Sequence, residues 1–429
     1  MPKRALDISE LLYKVPFKPE IVSLHNQNFP YMRVEIPIPE LDLLEWLEAQ
    51  KLYPKIYFET PKTGLKIAGI GEAFSLDEIP SFEKTKASPR FFGGMDFLKR
   101  KKNTWGQFPS CRYVLPLIEV EKRGDLTYLC LNRTSEELPI KNLESLNFEA
   151  PPFESFNCQP KGRLDSPSFP VWDRNIRESL TNINQEKLDK IVLARASLFN
   201  FEYDLSPLMI CKMLQGKSPS ATVFTFEFTE GQGFVGASPE SLYQRNHNHI
   251  KTAAIAGTRP RGKTEAEDQA LKEDLLNDEK ELHEFDVVKQ DIQKCLEPLC
   301  SSFSSKNNSR IIQTSTVQHI HHTFEGQLLD DINDKKLIEA LHPTPAVGGR
   351  PKKIALKNIG ERETFDRGWY SAPVGWISPE NAHLLVAIRS ALVQKNELRL
   401  FAGTGIVPGS LPQKEWEELE HKISQFILW

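Results

Sequence analysis

Apolar and polar residues alternate in short segments along most of the chain, which is typical of half-buried β-strands. In the first part of the sequence this pattern predicts strands at Tyr31–Pro37, Lys55–Glu59, Leu65–Gly71, Arg112–Val120 and Leu126–Asn132. The second and third of these predict a paired hairpin. Glu40–Gln50 has helical spacing instead, and Phe91–Phe97 is an aromatic run interrupted by glycines.

The second part of the chain contains longer apolar runs together with helical segments. Strands are predicted at Lys190–Phe199, Ala221–Glu227, Gly233–Gln244, His249–Gly257, Ile311–Gly326, His383–Val393 and Glu397–Ala402, and helices at Asp173–Asn182, Glu265–Cys300, Leu337–Leu341, Pro351–Ile359 and Gln413–Leu428. Strands outnumber helices and rarely alternate strictly with them. The pattern therefore predicts a mixed α+β sandwich rather than a parallel doubly wound sheet.

Three regions are predicted along the chain. Residues 1–30 form a peripheral N-terminal segment, residues 31–150 the N-terminal part of the fold, and residues 165–429 the region that carries the candidate chemistry. A stretch rich in proline, serine and phenylalanine around residues 148–170 marks the boundary between the last two.

Composition and charge exclude several classes of function. The 429-residue chain has a net charge of −4, whereas nucleic-acid-binding proteins usually carry a basic excess. It has no run of about 18 apolar residues that could span a membrane, and its N-terminus lacks the apolar core of a secretory signal. Its six cysteines include no Cys-x-x-Cys pair. These features predict a cytoplasmic enzyme with reduced thiols that binds neither nucleic acid nor membrane.

Two ionisable residues stand beside strongly apolar sequence. Lys190 opens the run Lys190–Arg195, and Glu240 closes the segment Gly236–Glu240. Burial lowers the pKa of a lysine and raises the pKa of a glutamate, which makes a base and an acid available near neutral pH. Such a pair could add a nucleophile at one position and protonate a leaving group at another. The alternative is a single structural charge at each of two strand ends.

Two helices carry carboxylates three residues apart. These are Glu281 and Glu284 on one predicted helix, and Glu415 and Glu418 on the other, with Lys422 one turn further. One carboxylate from each helix could hold Mg²⁺ beside an anionic substrate. The alternative is a pair of solvated helical faces. Neighbouring apolar residues indicate that the helix around Glu284 is partly buried.

The C-terminal third also contains candidate groups for binding an anion. Arg389 lies within an apolar run, where a guanidinium needs an anionic partner. That partner is either a ligand carboxylate or an internal aspartate or glutamate. Gly403–Gly409 lacks the glycine spacing of a dinucleotide loop. It predicts a flexible turn whose backbone N–H groups could bind an oxyanion.

The run His319–His322 is a weak metal-site candidate. On a strand His319 and His321 share one face and His322 takes the other. No carboxylate or cysteine stands at the usual ligand spacing. His319 is therefore interpreted as a hydrogen-bonding residue near the site.

Several of these segments together resemble the chorismate-utilising enzymes, and within them the isochorismate synthases. The matching stretches are Lys190–Ala196, Phe234–Leu242, Ile255–Gly262, Leu341–Pro351, Ala387–Val393, Phe401–Ser410 and Glu415–Lys422. They occur in the family's order over residues 165–429. The N-terminal part is also similar to the isochorismate synthase type through Phe91–Phe97 and Arg112–Glu119, with a lean toward the menaquinone-type enzymes.

The resemblance implies two stacked antiparallel β-sheets surrounded by helices, with Mg²⁺ in a deep site between them. It implies that Lys190 is the general base that activates water for attack on C2 of chorismate. Lys190 must be neutral for this role, which burial and a nearby cation would favour. Glu240 then protonates the departing C4 hydroxyl, and Glu284 and Glu418 match the Mg²⁺ ligands. The positions that match substrate-binding residues are Gly257, Thr258, His319, Ala346, Tyr370, Arg389, Gly405 and Lys422.

Particular positions distinguish the branches of this family. The ammonia-using branches typically have glutamine at the position of Lys190, and aminodeoxychorismate synthases have a nucleophilic lysine at the position of Ala256. The resemblance thus implies water as nucleophile and no obligatory glutamine amidotransferase partner. Members that eliminate pyruvate usually carry threonine at the position of Ala346.

Two alternative functions remain open, and the sequence departs from the family pattern at one position. The alternatives are a salicylate synthase, which goes on to eliminate pyruvate, and a catalytically silent chorismate-binding subunit. The departure is Phe285, which stands where the family usually has a histidine after the metal-binding glutamate. A supporting hydrogen bond is therefore in question at this position.

Overall fold

The antiparallel sheet of this protein has two arms, and both begin at the long strand Cys111–Arg123. The computed structural model describes residues 15–424 except residues 26, 62, 84, 103, 154–158, 306–309 and 314–316. The strands of the described residues are β1 (Glu20–Leu24), β2 (Gln27–Ile38), β3 (Lys55–Thr60), β4 (Leu65–Leu76), β5 (Phe91–Met95), β6 (Cys111–Arg123), β7 (Leu126–Arg133), β8 (Gly162–Ser166), β9 (Lys190–Asn200), β10 (Thr222–Thr229), β11 (Gln232–Ser238), β12 (Ser241–Asn246), β13 (His249–Pro260), β14 (Cys300–Ser305), β15 (Arg310–Gln313), β16 (Val317–Leu328), β17 (Gly349–Arg350), β18 (Pro373–Ile377), β19 (Asn381–Val386), β20 (Ser390–Gln394) and β21 (Glu397–Ile406).

Helices lie between these strands in the sequence. The α-helices of the described residues are α1 (Leu43–Ala49), α2 (Ile140–Glu144), α3 (Phe169–Asn184), α4 (Pro207–Lys217), α5 (Glu265–Asn277), α6 (Glu279–Leu296), α7 (Asp334–Leu341), α8 (Lys352–Arg362) and α9 (Pro412–Ser424). Every strand pairing in the described part of the chain is antiparallel. The predicted α+β fold is confirmed.

Strand β6 pairs with both β4 and β5, and each of these pairings begins one arm of the sheet. One arm runs from β6 through β4, β3, β10, β11, β20 and β21 to β9. The other runs from β6 through β5, β18, β19, β12 and β13 to β16. Helix α6 packs against β13, and α9 packs against β21. The far ends of the two arms, with these two helices, form the region that contains the candidate site.

The two predicted parts of the chain, residues 31–150 and 165–429, both contribute strands to this sheet. Strand β3 from the N-terminal part pairs with β10, and β5 pairs with β18. Strand β8 lies inside the predicted boundary region and pairs with β9. The predicted hairpin of β3 and β4 is confirmed, with Lys55 opposite Ile70. Strand β18 and helix α4 are among the elements that the apolar pattern did not predict.

The predicted N-terminal segment is described only in part. Residues 1–14 lie outside the described residues, whereas β1 and the start of β2 fall within residues 15–30 and pair with each other. At the other end of the chain, the last four residues of the helix predicted over Gln413–Leu428 also lie outside them.

The long helix predicted over Glu265–Cys300 is wrong, because the structure has two helices there. Helix α5 ends at Asn277, and α6 begins at Glu279. The carboxylate of Asp278 accepts hydrogen bonds from the backbone N–H groups of Lys280 and Glu281, at 3.0 and 3.1 Å. An aspartate at this position satisfies N–H groups that the first turn of a helix leaves free, so Asp278 starts a new helix.

Three other predicted elements near the site differ from the structure. The single strand predicted over Gly233–Gln244 is two strands, β11 and β12, with Pro239 and Glu240 in the connection between them. The strand predicted over His383–Val393 is interrupted between β19 and β20, where Arg389 has a φ of +52°. This left-handed conformation cannot continue a strand. In contrast, the turn predicted over Gly403–Gly409 begins later, since Gly403 and Gly405 are paired residues of β21.

Other expectations from composition can be compared with the described residues. Cys111, Cys130, Cys211, Cys295 and Cys300 are all free thiols, and Cys158 lies outside the described residues. No helix within the described ranges is both long enough and apolar enough to cross a membrane.

An aromatic cluster fills the core beneath the candidate site. Trp105 is fully buried and stacks on Phe401 with ring centroids 5.6 Å apart. Gly368 lies against the Trp105 ring with a φ of +51°, and a Cβ there would meet an indole carbon at 2.0 Å. Only glycine fits this position, because it needs both the left-handed backbone and the close approach.

Replacing Gly368 tests this packing. Gly368→Ala adds the left-handed strain of about 1–2 kcal/mol to an overpacking cost of about 1–3 kcal/mol. Gly64→Ala is the matched control, because Gly64 has a φ of +68° and a Cβ at this residue would meet no atom within 4 Å. We expect a clearly larger drop in the thermal unfolding midpoint for Gly368→Ala. Equal drops for the two variants would contradict the packing argument.

Candidate active site

A cavity of about 700 Å³ opens where the two arms and helices α6 and α9 meet. Most of the predicted site residues line it, namely Glu240, Gly257, Glu284, His319, Ala346, Tyr370, Arg389, Gly405, Glu418 and Lys422. Lys190 lies directly behind Glu284 and contacts it. Thr258 belongs to β13 and pairs with His319, but its side chain lies outside the described residues. The structure therefore brings residues from distant parts of the sequence to one cavity.

Lys190 is the first residue of β9 and has no exposed surface. Its Nζ atom donates a hydrogen bond of 2.7 Å to Oε1 of Glu284 on α6. A buried ammonium group needs such an anionic partner, because desolvation otherwise penalises its charge. Burial of Lys190 agrees with the sequence analysis, but the group in contact with its ammonium is an anion rather than the expected cation.

Gly405 makes this ion pair possible. It lies in β21 opposite Val192 of β9. A Cβ atom at Gly405 would stand 2.6 Å from Oε1 of Glu284 and 2.8 Å from Cε of Lys190. Both distances are shorter than van der Waals contact, so any side chain here would displace the pair. The predicted importance of Gly405 therefore has a steric origin, and Gly405 does not belong to an anion-binding turn.

Glu240 is a buried carboxyl group at the cavity, in the connection between β11 and β12. Burial raises its pKa to about 7, and the positive charge of Lys190 opposes that rise. Its backbone is held by Ser238, whose hydroxyl accepts from the Glu240 N–H at 3.2 Å. Its carboxylate makes no hydrogen bond or ion pair to the described residues. A neutral carboxylic acid is thus available to donate a proton to a bound molecule near neutral pH.

Arg389 is a cation at the cavity that has no counter-ion among the described residues. No carboxylate of the described residues lies within ion-pair distance of its guanidinium. Burial lowers its pKa, while Tyr370 and Glu418 oppose that change electrostatically. Of the two alternatives left open by the sequence, the described residues favour an anionic ligand over an internal aspartate or glutamate. Tyr370 is buried nearby and stacks on Phe401 with ring centroids 5.1 Å apart.

Helix α9 contributes a carboxylate and a cation to the cavity. Glu418 and Lys422 lie one turn apart and form an ion pair of 2.6 Å. The Lys422 ammonium also donates to the backbone oxygen of Gly403 in β21, at 2.8 Å. This second bond ties the helix to the strand that carries Gly405. Burial alone would raise the pKa of Glu418, but Lys422, Thr404 and Lys280 together stabilise the carboxylate and the pKa is lowered.

The neighbouring carboxylates of the two helices have different partners. Glu415 is buried and accepts from the Thr404 hydroxyl at 2.6 Å and from Lys280 at 3.0 Å. Glu281 lines the cavity and pairs with Arg259 at 3.3 Å. Burial raises the pKa of Glu281, and the negative charge of Glu284 raises it further. Glu281 and Glu284 are therefore close enough to repel each other, and a divalent cation would relieve that repulsion.

These oxygen donors suit Mg²⁺. The ion prefers a small number of carboxylates and keeps several positions for water or substrate oxygens. Glu284 and Glu418 come from different helices and both line the cavity, with side chains 19% and 44% exposed. The donor set thus has the chemistry that the sequence analysis expected. The solvated-face alternative does not describe Glu284 or Glu415, since both are engaged inside the protein.

A bulge in β13 shapes the wall opposite α9. The register of β13 on β16 shifts at Gly257, whose φ is +72°. Its backbone oxygen lies 3.2 Å from Nδ1 of His319. Burial lowers the pKa of His319, so the neutral ring donates its Nδ1–H to that oxygen. His319 is thus a hydrogen-bonding residue of the cavity wall, in agreement with its interpretation from sequence.

The other histidines of this run follow the strand alternation. His321 lines the cavity with His319, while His322 contacts the hydroxyl of Ser305 at 2.7 Å on the opposite face. Among the residues with described side chains, none of the three belongs to a group of three possible metal ligands.

Two features of the site were missed or left in question by the sequence. Arg259 lines the cavity and pairs with Asp274, Asp278 and Glu281. Its position directly after Gly257 and Thr258 in a matched stretch was the available signal. Phe285 is buried in the main core with 3% exposure. It therefore packs as an apolar side chain where the family usually has a histidine.

Comparison with known proteins agrees with this geometry. The family model "Chorismate binding enzyme" matches residues 78–428. The chain is 33% identical to isochorismate synthase MenF of Bacillus subtilis over 365 residues, which cover 83% of this chain and 77% of that protein. It is 30% identical to the chloroplastic isochorismate synthase 2 of Arabidopsis thaliana, over 95% of this chain and 82% of that protein.

The solved structures extend the likeness to the whole fold. The menaquinone-specific isochorismate synthase MenF of Escherichia coli superposes with a TM-score of 0.85 at 24% identity, and the match covers 99% of both chains. The expected family fold is confirmed by this superposition. The chain belongs to the family of chorismate-binding enzymes.

Proposed function

We propose that this protein is an isochorismate synthase, which converts chorismate to isochorismate by adding hydroxyl at C2 and removing the hydroxyl at C4. The observation that carries the proposal is Glu240, a buried carboxyl group with a pKa of about 7 that lines the cavity, together with the buried Lys190 directly behind Glu284. The curated relatives named above are isochorismate synthases, and the chain covers most of their length.

The reaction needs one proton acceptor and one proton donor. The amine of Lys190 takes a proton from water, and the resulting hydroxide forms a bond to C2. The ring double bonds shift, the C4–oxygen bond breaks, and the carboxylic acid of Glu240 protonates the departing hydroxyl. One water enters and one water leaves, so the product is an isomer of the substrate. A final proton transfer from Lys190 to Glu240 restores the enzyme.

The charges of the cavity suit a dianionic substrate. Arg389 has no internal counter-ion among the described residues and offers a bidentate site for one substrate carboxylate. Glu284 and Glu418 would hold Mg²⁺, which supplies positive charge for the ring carboxylate. Glu284 would face the ion while it also accepts from Lys190, and Lys190 must be the neutral amine to act as a base.

The choice of water over ammonia rests on two side chains. Lys190 occupies the position where ammonia-using relatives typically have glutamine, and Ala256 occupies the position of a nucleophilic lysine. Ala256 lines the cavity and has no group that could attack the substrate. We therefore propose that the enzyme works without a glutamine amidotransferase partner. Its likeness to MenF of two bacteria supports a menaquinone-type enzyme.

Replacing either Lys190 or Glu240 should abolish turnover. Lys190→Ala and Glu240→Gln are each expected to lower kcat by about 100-fold or more, because each removes a proton-transfer group. The measurement is chorismate consumption with chromatographic separation of products. Lys55→Ala is the matched control, since Lys55 is also a buried strand lysine but lies outside the cavity.

The same experiment separates the proposed function from its alternatives. A near-wild-type rate for Lys190→Ala or Glu240→Gln contradicts the assigned roles. Pyruvate release in step with chorismate loss would identify a salicylate synthase. A wild-type protein that consumes no chorismate at high Mg²⁺ would identify a silent binding subunit.

The raised pKa of Glu240 predicts how the rate depends on pH. The acid must be protonated, and its protonated fraction falls as pH rises through about 7. We expect kcat to decrease with rising pH on the alkaline side of that value. Glu227→Gln is the control, since burial also raises the pKa of Glu227 to about 7 but the residue lies outside the cavity. A rate that is independent of pH between about 6 and 9 would contradict an acid role for Glu240.

Metal removal tests the carboxylate pair. Treatment with a chelator should abolish turnover, and excess Mg²⁺ should restore it. Glu418→Gln should raise the Mg²⁺ concentration for half-maximal rate by about tenfold or more, because a ligand is lost. Glu417→Gln is the matched control, because Glu417 neighbours Glu418 on α9 but contacts Gln413 instead. An unchanged Mg²⁺ dependence for Glu418→Gln would remove Glu418 from the metal site.

A further inference from the structure

The strand that carries Lys190 has no described strand beside it along part of one edge. On one side β9 pairs with β21 from Ile191 to Asn200. On the other side β17 covers Lys190 and Ile191, and β8 covers Ala196 to Asn200. Between these two partners, residues 192–195 have none of the described strands beside them. Their buried backbone groups still require hydrogen-bond partners, because an unpaired buried amide is costly.

Two charged side chains occupy this gap. A carboxylate oxygen of Glu363 accepts from the backbone N–H of Ala194 at 2.9 Å. The guanidinium of Arg367 donates to the backbone oxygen of Val192 at 2.8 Å. Glu363 and Arg367 also form an ion pair with side chains only 4% and 2% exposed. The Val192 N–H donates to the backbone oxygen of Gly348 at 2.9 Å, and the two side chains supply one further acceptor and one donor that a neighbouring strand would supply.

The same ion pair reaches two other walls of the cavity. Arg367 donates to the backbone oxygen of Val347, the residue after Ala346, at 2.8 Å. Its own backbone oxygen accepts from the N–H of Tyr370 at 3.0 Å. Val347 and Tyr370 both line the cavity. The side chains of this ion pair are therefore bonded to the Lys190 strand and to the Ala346 turn, and the backbone of Arg367 is bonded to the Tyr370 turn.

We propose that Glu363 and Arg367 are positioning residues, which hold Lys190 in register with the Ala346 and Tyr370 walls of the cavity. The inference rests on the proposed function, since its consequence is the placement of the base against the substrate. Neither side chain transfers a proton in the reaction. A displacement of about 1 Å in a reacting group can cost about 100-fold in rate, so a loosened pair would act mainly on kcat.

The main test is Arg367→Lys, which keeps the charge but cannot bond to Glu363, Val192 and Val347 with one planar group. We expect kcat for chorismate to fall about 100-fold while KM changes less than about threefold. Hydrogen exchange of the backbone amides in a peptide covering residues 190–196 should become faster. If this variant does not fold, the double variant Glu363→Gln with Arg367→Met removes both buried charges and is expected to show the same two effects.

The chain contains a matched control for a general loss of stability. Arg245 and Asp334 form another buried ion pair, with side chains 8% and 5% exposed, and it lies outside the cavity. Arg245 also donates to several backbone oxygens, as Arg367 does. Arg245→Lys should lower the thermal midpoint to a similar extent. Its kcat and the exchange of residues 190–196 should stay as in the wild type.

The outcomes separate this inference from the proposed function. The positioning role is overturned if Arg367→Lys keeps kcat within about threefold of wild type, or if exchange in residues 190–196 does not change. It is also overturned if Arg245→Lys loses as much kcat as Arg367→Lys. If the wild type does not convert chorismate, the proposed function fails, and hydrogen exchange alone then decides whether the pair holds β9.

Discussion

The ion pair between Lys190 and Glu284 is the contact on which the site depends. It joins the end strand of one arm of the sheet to a helix that packs on the other arm. Three local features allow it. Gly405 leaves room for both side chains, Asp278 starts α6 at the right residue, and burial makes the lysine charge dependent on its partner. A change in any of these would alter the distance between the two arms at the cavity.

Charge is distributed unevenly around this contact. Carboxylates of α6 and α9 line one part of the cavity, whereas the side chains of Arg389 and Glu240 have no counter-ion or hydrogen-bond partner within the described residues. Unpaired polar groups inside a folded protein are costly and are concentrated at functional sites. Here they match the needs of an anionic substrate. The site thus depends on electrostatic complementarity as much as on shape.

A second buried ion pair, between Glu363 and Arg367, contacts the strand that carries Lys190. Glu363 and Arg367 fill a gap in the pairing of β9 and bond to the backbone of neighbouring cavity walls. Arg195, also on β9, is fully buried and lies over the Trp416 ring of α9 at 4.1 Å. The strand of Lys190 is thus held by side chains along an edge where backbone pairing is incomplete. Glu363, Arg367 and Arg195 are therefore charged residues that lie in the core and have no role in proton transfer.

The sequence by itself determined the fold class, most strands and a set of candidate site residues, most of which line the cavity. Alternation of apolar and polar residues is a local signal, and matched stretches such as Lys190–Ala196 identify positions without reference to distance. Only the tertiary structure decided that Lys190 pairs with Glu284, 94 residues away in sequence, and that Arg389 stands at a break between strands. It also decided that Gly405 lies in a strand and that Glu363 replaces a missing one. These features depend on which segments meet in space, and local patterns do not encode such long-range contacts.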